Sequence, residues 1–205
     1  MTYSTDHRHV TRQKIVRSAR RLFNSLGFDA VSIDDVMADA GLTRGGFYSY
    51  FESKGELYAA AVTHILNEKQ LLSSDGVSIS PYAVKNAAQF IRDYLSIEHF
   101  EDVEGTCPLI AFPTDFLRKE ERVRQAFETV LKVMIDVFEQ ALGREGPTAR
   151  SRARAIAALC VGGMVLARSI SDRVFADELR DAAMSVALSL GQWPQPTSDD
   201  VRRSA

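Results

Sequence analysis

Apolar residues recur at every third or fourth position over most of the chain, which is the spacing of amphipathic α-helices. The clearest run extends from Val123 to Leu142 and keeps this spacing for five turns or more. Weaker runs predict further helices at about 11–26, 53–72, 82–97, 108–117, 148–171 and 176–190. No stretch predicts a convincing strand. Together with the two short helices described next, the pattern predicts an all-α chain of about nine helices.

Two short helices are predicted in the segment from Ser32 to Tyr50. Ser32 is a typical N-cap, and Gly41 ends the first helix because glycine readily adopts the positive φ of a helix C-terminus. The second helix is predicted from Arg44 to about Tyr50, with Phe47 on its apolar side. Two helices joined by such a tight turn form a helix-turn-helix, whose second helix can enter a DNA major groove. On spacing alone, the alternative is an ordinary helical hairpin with a basic rim.

The sequence from Ala40 to Leu57 is A-G-L-T-R-G-G-F-Y-S-Y-F-E-S-K-G-E-L. It resembles the recognition segment of TetR/AcrR-family transcriptional regulators, in particular those with a Gly-Gly-Phe-Tyr core. The resemblance begins near Thr11 and is specific up to about Tyr58. It implies an all-helical homodimer that binds double-stranded operator DNA, represses genes and releases the DNA when a small-molecule inducer binds.

The expected organisation is a three-helix DNA-binding domain, a helical ligand-binding and dimerisation domain and a flexible tail, at 1–54, 55–191 and 192–205. Residues 1–10 are predicted to be a flexible arm before Thr11, the expected N-cap of the first helix. Ser53 and Glu56 form a capping-box pattern at the start of the helix that links the two domains. The segments predicted to be loops are 73–81 and 98–106.

The net charge of −2 hides a small asymmetry along the chain. Residues 1–55 contain eight Lys and Arg against six Asp and Glu, giving +2, while the remainder contains 17 against 21, giving −4. A basic excess beside the helix-turn-helix suits DNA, although it is too small to identify a DNA-binding protein alone.

Motifs for other classes of function are absent from the sequence. The four histidines are scattered, the two cysteines are far apart, and neither a nucleophile elbow nor a phosphate loop occurs. Neither an enzyme nor a metal or other cofactor is therefore expected. The most apolar run, Ala155 to Ala167, has thirteen residues, whereas a membrane span needs about 20. The first residues carry no apolar signal sequence, and a cytoplasmic location without membrane contact is expected.

The exposed side of the second short helix supplies the expected DNA contacts. Base reading is assigned to Arg44, Gly45, Gly46, Tyr48 and Ser49. Phosphate contacts are assigned to Thr43, Tyr50 and Lys54, helped by Arg12 and Lys14 at the start of the first helix. Glycines there weaken a helix but let the backbone approach DNA closely. For the basic residues of the first helix, a solvated face is the alternative.

The resemblance places a ligand pocket among the helices of the second domain. The aromatic residues and methionines available there are Phe90, Tyr94, Phe112, Phe116, Phe127, Met134, Phe138 and Met164. Each of them is also an ordinary core residue, but together they predict a mainly apolar inducer.

Cys107 lies at the predicted start of a helix, where the helix dipole would lower the pKa of a thiol. Some relatives in the resembled family sense electrophiles or oxidants through a cysteine in a comparable region, so Cys107 is a candidate redox sensor. A plain buried cysteine is the alternative, because four acidic residues between Glu98 and Glu104 disfavour a thiolate.

The last two predicted helices carry apolar and small residues on more than one side, so each must bury two faces. The residues expected in the dimer interface are Ala158, Gly162, Val165, Met184 and Leu188. A helix wholly internal to a monomer is the alternative for this region. For the whole chain, the rival interpretation is a helical protein-interaction module whose basic head is incidental.

Overall fold

The computed structural model describes residues 2–73, 78–111, 120–143 and 146–193. Their secondary structure is helical apart from one isolated antiparallel bridge between Leu72 and Ile79. The helices in chain order are α1 (Thr2–Leu26), α2 (Ile33–Asp39), a 3-10 helix (Arg44–Ser49), α3 (Lys54–Glu68), α4 (Pro81–Lys85), α5 (Ala87–Tyr94), α6 (Ile97–Glu101), α7 (Pro108–Ala111), α8 (Glu121–Ala141), α9 (Gly146–Arg168) and α10 (Arg173–Gly191). The all-α prediction is confirmed, with ten α-helices and one 3-10 helix in the described ranges instead of about nine helices.

A small three-helix head forms because apolar side chains of α1, α2 and the 3-10 helix meet in one core. Phe23, Met37 and Phe47 come from these three elements and are almost completely buried. The start of α2 is fixed by a complete capping box, in which the Asp35 N–H donates to the Ser32 hydroxyl at 3.1 Å. In return the Ser32 hydroxyl donates to the Asp35 carboxylate at 2.6 Å and the Ser32 N–H donates to it at 2.7 Å, and these two hydrogen bonds lower the pKa of Asp35.

The turn between α2 and the 3-10 helix depends on Gly41, whose φ of +65° is favourable for glycine and strained for other residues. The prediction that Gly41 ends the first short helix is confirmed. The second short helix forms at Arg44–Ser49, but it is a 3-10 helix and not an α-helix. Its two leading glycines have low α-helix propensity, which suits a short 3-10 turn.

The body is built on α3, α8, α9 and α10. α3 connects it to the head, because α3 packs against both α1 and α8. α9 and α10 approach each other closely at Gly163, where a Cβ would lie only 2.6 Å from the Cβ of Ala183. Phe138 of α8 and Met164 of α9 are fully buried in the core between these helices. No helix in the described ranges is long and apolar enough to cross a membrane.

The first helix begins at Thr2, so the prediction of a flexible arm at 1–10 is wrong. Thr11 lies inside this helix, where its hydroxyl donates to the His7 carbonyl at 2.9 Å instead of capping a helix start. The additional turns place Arg8 against the 3-10 helix, and its guanidinium donates to the Ser49 carbonyl at 2.7 Å. The hydrogen bond from Arg8 to Ser49 therefore stabilises the beginning of α1. The polar sequence of residues 1–10 does not predict this long-range contact.

Two predicted boundaries fail because polar side chains compete for backbone groups. The helix predicted at 82–97 is interrupted at Asn86, whose side-chain amide donates back into the preceding turn at 2.8 Å. The loop predicted at 98–106 contains α6 instead. Its start is capped by Ser96, whose hydroxyl accepts from the His99 N–H at 3.1 Å.

The helix ends in the body follow the predictions more closely. Ser53 caps α3 as predicted, because its hydroxyl accepts from the Glu56 N–H. The other half of the expected capping box does not form, since the Glu56 carboxylate accepts from the Glu52 N–H and not from the Ser53 N–H. α3 ends at Glu68, four residues before the predicted end. α8, α9 and α10 lie within a few residues of their predicted ranges. Residues 112–117 of one predicted helix, and 194–205 of the predicted tail, lie outside the described residues.

Candidate nucleic-acid interface and body cavity

The 3-10 helix presents one face to solvent and one to the head core. Arg44, Gly45, Tyr48 and Ser49 are exposed, and Tyr48 retains 65% of its accessible surface despite its aromatic ring. Phe47 on the opposite face is completely buried and packs edge-on against Tyr48, with ring centroids 5.2 Å apart. The buried Phe47 ring therefore helps to orient Tyr48 on the outer face.

The two glycines of this helix have different surroundings. A Cβ at Gly45 would meet no atom of the described residues within 4 Å. A Cβ at Gly46 would lie 3.7 Å from the terminal methyl of Met37, an ordinary van der Waals distance. Packing in the free protein therefore does not demand glycine at position 45, whereas the missing side chain leaves the backbone open to another surface.

Arg44 forms an ion pair with Asp34 of α2 at 2.7 Å, and both side chains are more than half exposed. Exposed pairs of this kind contribute about 0–1 kcal/mol to stability, so the guanidinium can change partners at low cost. Asp34 did not appear among the residues predicted from the sequence. Asp34 reaches Arg44 because of the way α2 packs against the 3-10 helix, and no local sequence pattern predicts that packing.

Further basic residues surround the 3-10 helix, as the sequence predicted for the head. The Arg12 guanidinium lies 4.6 Å from the ring centroid of Phe51, and the Lys54 ammonium lies 4.2 Å from that of Phe28. The Lys14 ammonium lies beside the turn at Gly41. Thr43 is exposed and Tyr50 partly exposed next to them. These aromatic contacts hold the cations against the head while leaving them near its surface.

The body contains a partly open cavity of about 780 Å³, within the usual size range of small-molecule pockets. It is bounded by the C-terminal end of α3, by α4 to α6, by the start of α7 and by α8. Phe90, Tyr94 and Met134 line it, as does Cys107.

The other predicted pocket residues within the described ranges do not line this cavity. Phe138 lies behind Phe90, with ring centroids 5.6 Å apart. Met164 is fully buried in α9, and Phe127 is partly buried against the core. Phe112 and Phe116 lie outside the described residues.

One side of the cavity is polar, in contrast to the aromatic residues and methionines that the sequence predicts for it. Its charged lining residues are Glu68, Lys69, Asp93, Glu98 and Asp102. They come from the end of α3, from α5, and from α6 with the residue that follows it. Some of these elements are far apart in the sequence, and α6 lies in a segment that the sequence predicts to be a loop. The sequence pattern therefore does not predict that these carboxylates share one wall of the cavity.

His99 fixes the segment that joins α5 to α7. Its Nδ1 lies 2.7 Å from the Tyr94 carbonyl, which can only accept, so Nδ1 carries the proton. Nε2 is then free to accept from the Cys107 N–H at 3.3 Å and lies 3.3 Å from the Thr106 hydroxyl. Burial, followed by a smaller effect of Arg168, lowers the pKa of His99 and favours this neutral form.

The Cys107 thiol is not activated in this environment. The residue is buried, and burial raises the pKa of its thiol despite the opposing effect of neighbouring Tyr94. The expectation that the helix dipole lowers this pKa is therefore wrong, because desolvation of the buried thiol dominates. The pKa of Cys160 is raised above the ordinary range for the same reason.

The helices predicted to form the dimer interface have apolar residues on their outer surfaces. Ala158 is exposed, Gly162, Val165 and Met184 are partly exposed, and Leu188 is buried within its own chain. Leu166 and Val186, which were not among the predicted interface residues, are about half exposed. A Cβ at Gly162 would meet no atom of the described residues within 4 Å, in contrast to Gly163.

The fold and these sites define an all-α protein with a helix-turn-helix head and a cavity-bearing helical body. The model of the tetR family of bacterial regulatory proteins matches residues 15–61, which cover most of the head and the start of α3. The head is therefore similar to the N-terminal domain of tetR-family regulators.

Similarity to individual proteins extends beyond the head. The HTH-type transcriptional regulator YxaF of Bacillus subtilis is 26% identical over 175 residues, which cover 80% of this chain and 87% of YxaF. A TetR transcriptional regulator from Chloroflexus aurantiacus has a TM-score of 0.64 at 21% identity, covering 90% of this chain and 95% of that structure. SmeT, solved as a complex with triclosan, has a TM-score of 0.61 at 23% identity, covering 91% and 98%. The chain therefore has the fold of TetR-type regulators over most of its length.

Proposed function

We propose that this protein is a transcriptional regulator that binds operator DNA through the outer face of the 3-10 helix. The observation that carries this proposal is the exposed face of Arg44, Gly45, Tyr48 and Ser49 on a TetR-family N-terminal domain. Arg44 reads a base edge after exchanging Asp34 for guanine, and the backbone at Gly45 and Gly46 approaches the groove. Thr43, Tyr50, Lys54, Arg12 and Lys14 contact phosphates.

We further propose that the protein is a homodimeric repressor whose operator affinity falls when a small, mainly apolar molecule binds in the body. Residues 1–54 form the DNA-binding domain, and residues 55–191 form the ligand-binding and dimerisation domain. The cavity lined by Phe90, Tyr94 and Met134 supports a ligand site. The shared fold with SmeT, solved with triclosan, is consistent with an apolar aromatic ligand. The outer stripe of α9 at Ala158, Gly162 and Val165 supports a partner helix.

Two alternative functions make different predictions. In the first, oxidation or alkylation of Cys107 releases DNA; its place in the cavity wall favours this, while burial and the raised pKa of the thiol oppose it. In the second, the chain is a protein-interaction module without specific DNA binding. The exposed Arg44 and Tyr48 on a domain of the tetR family oppose that alternative.

Fluorescence anisotropy with duplex DNA from the region upstream of the protein's own gene tests the proposal. We expect saturable binding that is at least about 1,000-fold tighter than binding to random DNA of equal length, as for specific DNA-binding proteins. The double variant Arg44→Ala/Tyr48→Ala should reduce this ratio while the protein stays folded by circular dichroism. Equal affinity for both DNAs would support the interaction-module alternative, and loss of binding only after thiol alkylation would support the Cys107 switch.

A further inference from the structure

We propose that the body cavity takes a ligand combining an apolar, aromatic part with a positive charge, and that carboxylates on the polar wall recognise the charge. The carboxylates are those of Asp93, Glu98 and Asp102. The inference rests on the proposed function, because it names the chemical class of the ligand that the regulator binds. It also adds a positive charge to the mainly apolar inducer that the sequence predicts.

The apolar part of the ligand fits the inner wall. Phe90 and Tyr94 lie one helical turn apart on α5 with their rings at 74° and centroids 5.9 Å apart, so they offer one ring face and one ring edge. Met134 and Val130 of α8 line the cavity with them. Methionine adapts its shape to a bound ring better than a branched side chain does.

The charge of the polar wall is strongly one-sided. Among the described lining residues, four carboxylates face one cation, Lys69. Glu68 is already paired with Arg20 of α1, so it is largely neutralised. Within the described residues, the Asp93 carboxylate accepts a hydrogen bond from the neutral amide of Gln89 at 2.7 Å and forms no ion pair. The Asp102 carboxylate accepts from the Gly105 N–H at 2.8 Å, and Arg20 and Arg168 act on it electrostatically without forming a salt bridge. Arg180 acts on Glu98 in the same way. Asp93 therefore carries the least compensated negative charge on this wall.

A second feature of the wall independently indicates a polar ligand atom. Tyr94 is only 4% exposed, yet its hydroxyl makes no hydrogen bond within the part of the chain that the structure describes. It lies near the Cys107 thiol, which is a poor partner. A buried hydroxyl without a partner costs stability, and a heteroatom of a ligand would remove this cost. A purely hydrocarbon ligand would leave the hydroxyl without a partner and would gain no attraction from the carboxylates.

Isothermal titration calorimetry of the full chain with a matched pair of compounds tests the inference. Tetraphenylphosphonium is an aromatic cation, and triphenylphosphine oxide is a neutral aromatic compound of related shape. We expect the cation to bind at least about tenfold more tightly, with a preference that shrinks as salt is raised because exposed carboxylates are screened. Equal affinity for the two compounds, or no binding of the cation, would overturn the inference.

Charge-neutralising variants locate the effect. Asp93→Asn/Glu98→Gln should weaken binding of the cation by about fivefold or more for each carboxylate removed, and should leave the neutral compound unaffected. The matched control is Glu121→Gln/Glu128→Gln, which removes the same net charge from exposed positions of α8 outside the cavity. Equal losses in both variants would indicate a general charge effect and contradict the site.

Operator binding by the same preparations separates the two proposals. A protein that binds its operator specifically but shows no preference for the cation refutes the ligand class and leaves the regulator function intact. A protein that prefers the cation but discriminates no DNA sequence has the predicted cavity chemistry without the proposed function.

Discussion

At Gly45 the free protein gives no steric reason for glycine, because a Cβ would enter open space. A requirement for glycine at this position must therefore come from a partner that approaches the backbone closely. The same reasoning does not apply to Gly41, whose positive φ makes glycine necessary for the turn itself. Glycine at position 41 is therefore explained by folding, whereas glycine at position 45 is explained by binding to a partner.

The substitution Gly45→Ala should therefore leave the fold intact, with stability unchanged or raised by up to about 1 kcal/mol, since alanine is the better helix former. Operator affinity should fall at least about tenfold, because the added methyl group separates the backbone from DNA. Urea unfolding and fluorescence anisotropy measure the two effects on one preparation. If affinity and stability both stay at their original values, DNA does not approach this backbone.

The substitution Arg44→Ala should relax base preference at one position of each half-site, at a cost of about 1–3 kcal/mol for the preferred base. A panel of operators changed one base pair at a time measures this cost. Asp34→Asn is the matched control, because it removes only the competing partner of the guanidinium and should strengthen binding slightly to all sequences. If Arg44→Ala lost the same affinity for operator and for random DNA, Arg44 would contact only phosphates.

At the level of helices, sequence patterns predicted those elements that local signals specify. The capping residues Ser32 and Ser53 and the long apolar run of α8 all form the predicted helix starts and faces. The failures have tertiary or competing causes: Arg8 reaches across to Ser49 and supports the extended α1, while Asn86 interrupts a continuous apolar pattern. The polar cavity wall was missed for a related reason, since its carboxylates converge only through the packing of separate helices.

Adjacent glycines on α9 provide a test of the proposed dimer interface. Gly162→Leu adds a side chain in open space on the single chain, so the protein should fold but sediment as a monomer. Gly163→Leu is the contrasting variant, because a Cβ there already lies 2.6 Å from Ala183, and it should destabilise the chain itself. Analytical ultracentrifugation and circular dichroism distinguish these results. A folded Gly162→Leu dimer would place the interface elsewhere.

The segment that carries His99 should make stability depend on pH. Tyr94, Thr106 and Cys107 hold the neutral ring, while Arg168, Lys69 and Asp102 are the charged groups that act on it. Because the pKa of His99 is lowered in the folded state, the unfolded chain takes up this proton at higher pH. The contribution to stability is present above the ordinary histidine pKa of about 6.5 and is lost as pH falls through the lower folded value.

Urea unfolding at about pH 8 and about pH 5.5 measures this effect on either side of the histidine range. His99→Gln should flatten the decline in unfolding free energy toward acid pH. His64 needs a separate variant, His64→Gln, because burial, then Arg20 and Arg17, lower its pKa also, with the same sign. An unchanged pH dependence in His99→Gln would show that the pKa of the ring is the same in the folded and the unfolded chain.

On the scale of the whole molecule, the cavity and the head are connected by two routes. α3 runs from the head to Glu68 in the cavity wall, where Glu68 pairs with Arg20 of α1. Arg20 also donates to the Gly105 carbonyl at 2.7 Å, and Asn24 donates to the Glu104 carbonyl at 2.9 Å. These bonds tie α1 to the segment that follows the cavity residue Asp102. We therefore expect a ligand that displaces this wall to act on the head through these contacts.

In a dimer, the two heads must lie about 34–36 Å apart to occupy successive major grooves. A ligand that favours a different spacing lowers operator affinity, by no more than its own difference in affinity for the two states. By reciprocity, operator DNA must weaken ligand binding by the same factor. Titration of tetraphenylphosphonium with and without saturating operator measures this factor, and Asn24→Ala should reduce it by loosening one of the two connections. Equal cation affinities with and without operator would exclude allosteric release through the cavity and leave modification of Cys107 as the better explanation of any switch.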